Sequence, residues 1–155
     1  TVDELASMLM EGNHRLRILD LRDSASYEEY HIPPAERIGI SQLMKEQLST
    51  VDTMVLYSDG GTHAAQAWML LAAKGFQNVF TLRGGMNEWK DRILLPHIEP
   101  GMSLEVRKNL SSRAKFFGGE LLDGQAPADK SPAAKQLDER VKQFQKEKEK
   151  PREVC

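Results

Sequence analysis

Cysteine is almost absent from this 155-residue chain, because only the last residue, Cys155, carries a thiol. A single cysteine excludes an internal disulfide framework and any metal site built from several thiolates. The four histidines show no metal-ligand spacing either, so we expect no bound metal and no cofactor. The body of the chain therefore has no thiol at all.

Long apolar runs are also missing. The longest apolar stretches fall far short of the roughly 20 residues that a transmembrane helix needs, so we expect no membrane span. The sequence has no secretory signal pattern and begins at Thr1 rather than at Met. We therefore expect a piece trimmed from a longer protein. This leaves the compartment open, with the cytoplasm favoured.

Charge of one sign is not concentrated in this chain. The net charge is -2, and the mild positive excess lies in residues 130–155, with eight Lys or Arg against five Asp or Glu. Nucleic-acid-binding proteins usually carry a concentrated basic face with aromatic or groove-reading elements. Neither is present, so we expect no nucleic-acid partner.

What is present is the pattern of a small α/β fold. Hydrophobic residues make up 40% of the chain and charged residues 28%, as in a globular protein with a core. Strands separated by helices of this length predict right-handed crossovers, and so a mostly parallel sheet of about five strands with helices on both faces. The predicted strands are 16–21, 37–40, 53–57 and 78–82; the predicted helices begin near Thr1, Ser24, Ser41, Thr62 and Met86.

The pattern changes after Pro96, and we predict one domain over 1–98 followed by a helical extension over 99–155. The extension has a helix over 103–117, a linker at about 120–130 and a second helix beginning at Ser131. That helix carries a narrow apolar stripe about two heptads long. It could pack back on the domain, pair with a second copy to form a homodimer, or fray as a tail. The stripe consists of Ala134, Leu137, Val141 and Phe144.

The segment most informative about function follows the strand at 53–57. A tight loop with Gly60 and Gly61 leads from this strand into a helix near Thr62. Ligands of α/β sheets bind beyond the carboxyl ends of the strands, and backbone N–H groups at a helix N-terminus attract anions. The segment predicts a small-anion site over 58–63, although such turns also occur for purely structural reasons.

Four segments together resemble the rhodanese-like (sulfurtransferase) family over roughly residues 1–96. They stand in the family's order and at its spacings: LDLRD at 19–23, YEEYHIPPAERI at 27–38, VLYSDGGTHAAQAWMLLAAKGFQNV at 55–79 and LRGGMNEWKD at 82–91. In the family, the thiolate of the first loop residue takes a sulfur atom from a donor such as thiosulfate and forms a persulfide. An arginine five positions later often assists.

This chain departs from the family at both positions. The resemblance places Ser58 where the cysteine belongs and His63 where the arginine belongs, and Asp59 adds a negative charge to the loop. A neutral serine hydroxyl cannot form a persulfide. We therefore expect a non-catalytic binding or regulatory module with an unknown protein partner. Its degenerate anion loop comprises Ser58, Asp59, Gly60, Gly61, Thr62 and His63, supported by the Asp20–Arg22 pair.

Three alternatives stay open from the sequence. Ser58 could be a nucleophile with His63 as its base, which would make the protein a hydrolase, or it could simply fill the former cysteine site. Cys155 could carry sulfur from the tail, although an exposed thiol without activating neighbours is a poor nucleophile. The C-terminal helix could serve assembly rather than chemistry.

Overall fold

The sheet that organises the molecule has four strands, all parallel. The computed structural model describes residues 1–12 and 15–122. Within them the strand order is β2-β1-β3-β4, with Ile18 opposite Val55 and Val55 opposite Phe80. The strands are β1 (Leu16–Asp20), β2 (Glu36–Arg37), β3 (Thr53–Tyr57) and β4 (Val79–Thr81). The predicted small parallel sheet is confirmed.

The described residues form four strands, close to the predicted count of about five. The outer edge of β4 is partly closed, because the Trp68 indole donates a 2.9 Å hydrogen bond to the Val79 carbonyl. The described chain beyond Pro96, residues 97–122, supplies a helix instead of a further strand, apart from one isolated bridge between His97 and Leu122. Side-chain capping of this kind is one way in which edge strands avoid further pairing.

Helices lie on both faces of the sheet, as expected for parallel strands joined by crossovers. A π-helical turn at Lys90–Leu94 continues the fifth helix directly. The helices are α1 (Val2–Met10), α2 (Ser24–Glu29), α3 (Ile40–Leu43), α4 (Thr62–Ala73), α5 (Gly85–Trp89) and α6 (Leu104–Phe116).

Two hydrophobic clusters fill the space between the sheet and these helices. On one face, α4 buries Ala64, Ala67 and Leu71 against strand residues such as Leu56. On the other face, α1, α5 and the π-helical turn bury larger side chains, with Trp89 fully inaccessible. Since side chains alternate between the faces of a strand, the apolar run of β3 supplies both clusters.

The helix predicted over 103–117 packs on this core as α6. Ser103 caps its start by accepting a hydrogen bond from the Val106 N–H, and Gly118 adopts a positive φ just beyond its end. Phe117 is buried with its ring 4.9 Å from that of Trp89. The described residues thus lie in one compact unit that includes α6, while the predicted boundary at 98 stays a prediction.

Several sequence predictions fall outside the described residues. They concern most of the linker at 120–130, the helix beginning at Ser131 with its apolar stripe, and Cys155. Within the described residues, no helix is both long and apolar enough to cross a membrane.

Candidate functional site

The loop after β3 is built around Ser58. The strand ends at Tyr57, and Gly61 takes a left-handed conformation with φ 98° to start α4 at Thr62. The Ser58 Oγ accepts a hydrogen bond of 3.2 Å from the Gly61 N–H, and Ser58 is only 3% exposed. The hydroxyl therefore closes the turn from within, because it satisfies a backbone donor of the loop.

The start of α5 fixes the other side of this loop. The carbonyls of Ser58 and Asp59 accept hydrogen bonds of 2.9 and 3.0 Å from the N–H groups of Met86 and Asn87. Gly85 allows this close approach, since a Cβ atom there would lie 2.1 Å from the Ser58 carbonyl oxygen. The Gly-Gly turn at 84–85 is thus part of the site, a role that its sequence signal as a turn did not reveal.

A buried network of polar side chains lies beneath the loop. The Asp20 carboxylate accepts hydrogen bonds of 2.6 Å from Arg22 Nη2 and 2.6 Å from the Tyr57 hydroxyl. The Arg22 Nη2 also donates to the Tyr30 carbonyl at 2.6 Å, and the Tyr57 hydroxyl accepts from the Ile32 N–H at 3.2 Å. The network ties three chain segments together under the loop.

The electrostatics of the network keep Arg22 charged and Tyr57 neutral. Burial raises the pKa of Tyr57 well above its usual range, and the hydrogen bond to Asp20 adds to this effect. For Arg22, burial lowers the pKa, but the hydrogen bond and attraction of Asp20 outweigh it, so that its pKa is raised. The guanidinium stays charged and the phenol stays neutral at physiological pH.

One carboxylate of the loop faces this buried cation. The Asp59 Oδ1 lies 3.7 Å from Arg22 Nη1, and the Asp59 side chain is 64% exposed while that of Arg22 is 3% exposed. The positive charge nearest to the loop is therefore already met by a negative charge of the loop itself.

The proposed pair of Ser58 and His63 does not form a hydrogen bond within the described residues. Ser58 is buried and bonds to the Gly61 N–H, whereas His63 is exposed on the first turn of α4. A general base must come within hydrogen-bond reach of the proton it abstracts. This geometry does not favour the Ser58 hydrolase alternative.

The structure thus brings all six predicted loop residues together and places the predicted Asp20–Arg22 pair beneath them. Sequence reasoning missed Tyr57, whose hydroxyl joins that pair at the end of an apolar strand. A tyrosine that ends a buried run is a usable signal, because its hydroxyl needs a partner when buried. No group of three or more potential metal ligands converges within residues 1–12 and 15–122.

A parallel sheet of this order, with a loop and a helix N-terminus directly after β3, defines an α/β class of protein whose candidate site lies at the carboxyl ends of the strands. The sequence profile of the Rhodanese-like domain matches residues 1–92, more than half of the chain. The chain therefore belongs to the rhodanese-like domain family.

Individual relatives agree with this assignment. Thiosulfate sulfurtransferase GlpE of Coxiella burnetii is 32% identical over 75 residues, which are 47% of this chain and 70% of the relative. Uncharacterized protein YqhL of Bacillus subtilis is 27% identical over 84 residues, 53% of this chain and 67% of the relative. The crystal structure of the Alr3790 protein from Anabaena sp. matches with a TM-score of 0.53 and 33% identity, covering 57% of this chain and 72% of that one.

Proposed function

We propose that this chain is a rhodanese-like module that binds rather than transfers sulfur, and that the loop 58–63 is its degenerate anion site. The single observation that carries the proposal is Ser58, a buried hydroxyl at the family's cysteine position that is engaged by the Gly61 N–H. Persulfide formation needs a thiolate nucleophile, which an alcohol at neutral pH does not provide.

The charge of the loop supports the same proposal. An incoming anion would meet the Asp59 carboxylate, which is already paired with the buried Arg22 guanidinium at 3.7 Å. The position of the family's assisting arginine holds the exposed His63 instead. A loop with one fixed negative charge and without that cation should hold anions weakly.

A thiosulfate:cyanide sulfurtransferase assay on the full chain tests the proposal, and we expect no turnover above background. Clear turnover would refute the non-catalytic role. The variant Cys155→Ser should behave identically, and a loss of activity only in that variant would assign sulfur transfer to the tail thiol.

The variant Ser58→Cys separates the nucleophile from the loop around it. If the backbone cradle is intact, this variant should gain measurable sulfur transfer, whereas Ser24→Cys, placed on the surface helix α2, should gain none. Failure of Ser58→Cys would indicate that Asp59 and His63 have also disabled the loop, and then Ser58→Cys with His63→Arg is the informative combination.

A further inference from the structure

An open groove lies between α1 and the β4 end of the sheet. It has a volume of about 850 Å³ and is mostly apolar in its lining. Its floor includes Val55, Phe80 and Leu82, and α1 contributes Leu5 and Met8 as its wall. Phe80 is 54% exposed although it lies on a strand. A large aromatic side chain left open beside an apolar groove is typical of a binding surface.

The fold indicates which element fits there. Among the described residues, helices cover the sheet face beside α1 but leave the β4 part of that face open, as the exposure of Phe80 shows. Helices in α/β folds pack side by side on a sheet face. A further helix lying beside α1 would cover Phe80 and complete this layer.

The charged residues at the rim of the groove indicate what charge a binding partner should carry. Among the described residues, no Lys or Arg lines the groove. Three acidic residues line it: Asp3, Glu4 and Glu11. Asp3 is paired with Arg92 and Arg113, and Glu4 with the α-amino group of Thr1.

Glu11 is the informative member of this rim. It is exposed at the C-cap of α1, where a carboxylate opposes the negative end of the helix dipole. Helix stability therefore does not explain a glutamate at this position. Glu4 and Glu11 are seven residues apart, about 10 Å or two turns along α1.

We propose that this groove docks an amphipathic helix of a partner protein, whose apolar face covers Phe80 and whose basic flank faces the acidic rim of α1. Recognition would combine helix-in-groove anchors at i, i+3, i+4 and i+7 with cations two turns apart. This inference rests on the proposed binding function, for which the groove would be the binding surface. Docking at the groove is tested without changing the loop at Ser58. A failure of the docking proposal can therefore be told apart from a failure of the proposal for the loop.

The test uses the full chain and two labelled 15-residue helical peptides. Both present leucine at i, i+3, i+4 and i+7; one carries two lysines seven residues apart on its flank, and the other carries two glutamates there. Fluorescence anisotropy should show binding of the lysine peptide, about tenfold tighter than that of the glutamate peptide. Equal affinity for the two peptides, or no binding of the lysine peptide, overturns the proposal.

Protein variants locate the binding. Phe80→Ser should weaken binding of the lysine peptide about tenfold. The control Met69→Ser should leave the affinity unchanged, because Met69 is an exposed apolar residue of α4 outside the groove lining. Glu11→Lys should weaken binding of the lysine peptide about fivefold, whereas the matched charge reversal Glu99→Lys should leave the affinity unchanged. Circular dichroism checks that each variant is folded.

Two results would overturn the assignment at this stage. If Phe80→Ser binds the lysine peptide as tightly as the parent chain, the groove is not the site. If the parent chain forms a dimer that Phe80→Ser abolishes and the peptide does not disrupt, the groove belongs to a second copy rather than to a partner helix.

Discussion

The two layers of the candidate site obey different rules. Below, the side chains of Asp20, Arg22 and Tyr57 are buried and satisfy one another within hydrogen bonds of 2.6 Å. Above, the loop from Ser58 to His63 ends in exposed side chains and holds a carboxylate over the buried cation. The lower layer is specified by packing and charge pairing, and the upper layer mainly by backbone geometry, with one hydrogen bond from the Gly61 N–H to the Ser58 Oγ.

This difference explains how a family framework can persist around a changed loop. The lower network bonds to the backbone at Tyr30 and Ile32, so it holds the sheet and the adjoining loops in place. The loop shape depends on Gly61, on Gly85, on main-chain hydrogen bonds and on the bond from the Gly61 N–H to the Ser58 Oγ, none of which involves the network beneath. A thiol can therefore be replaced by a hydroxyl without disturbing the layer beneath.

The largest expected effect comes from breaking the lower layer. Asp20→Ala should cost about 3–5 kcal/mol of the free energy of unfolding, because it leaves the Arg22 guanidinium buried without its counter-charge. Urea denaturation measures this loss. Glu36→Ala removes a partner of Arg17 from a partly exposed ion pair and should cost no more than about 1 kcal/mol. Similar losses in both variants would contradict the distinction between buried network and surface pair.

The contact between the layers is the next target. Gly85→Ala should destabilise the fold by about 2–3 kcal/mol, because alanine is strained at φ 58° and its Cβ would meet the Ser58 carbonyl. Gly60→Ala, where a Cβ would meet no atom within 4 Å, provides the matched control and should cost less than about 1 kcal/mol. Equal unfolding midpoints in urea for the two variants would argue against a close contact of α5 with the loop.

Tyr57 makes the stability of the lower network depend on pH. Its pKa is raised by burial, so its contribution to stability is fully present below the ordinary tyrosine pKa of about 10 and is lost as pH rises through the folded value. Tyr57→Phe should cost about 1–3 kcal/mol at pH 7, because Asp20 loses a buried donor.

The same variant should also lose less stability than the parent chain between pH 9 and pH 11. Denaturant titrations across that range measure the difference. The partly buried Tyr30, whose pKa is also raised by burial, leaves a residual slope in both proteins. Parallel pH profiles for the parent and Tyr57→Phe would show that Tyr57 is not the group responsible.

Much of the fold could be predicted from the sequence, for physical reasons. The strand at 53–57 and the helix beginning at Thr62 were predicted because an apolar run and a glycine-bounded helical pattern leave few alternatives. The helix predicted to begin near Ser41 begins at Ile40 and already ends at Leu43. Short elements depend on tertiary contacts, so local patterns define their ends poorly.

The site was predictable in its parts but not in its connections. Motif spacing put the loop directly after β3 and paired Asp20 with Arg22, while the role of these residues as a site stays a prediction. The third member, Tyr57, and the contact with Gly85 depend on the alignment of distant segments, which no local pattern encodes. The pairing of Asp59 with Arg22 likewise appears only when the loop lies over the network.

Asp59→Asn should have the least effect on stability of these variants, because it changes only the exposed upper layer. Because this carboxylate is exposed and 3.7 Å from its partner, its loss should change the free energy of unfolding by less than about 0.5 kcal/mol. Removal of the negative charge should nevertheless raise the affinity of the loop for thiosulfate about fivefold, since a like charge near 4 Å is worth about 1 kcal/mol in water. NMR titration of the Gly60 and Gly61 amides measures this affinity at low and high salt. Asp52→Asn, at the opposite end of β3, is the matched control and should leave it unchanged. An increase that occurs in both variants, or in neither, would mean that Asp59 does not govern access to the buried Arg22.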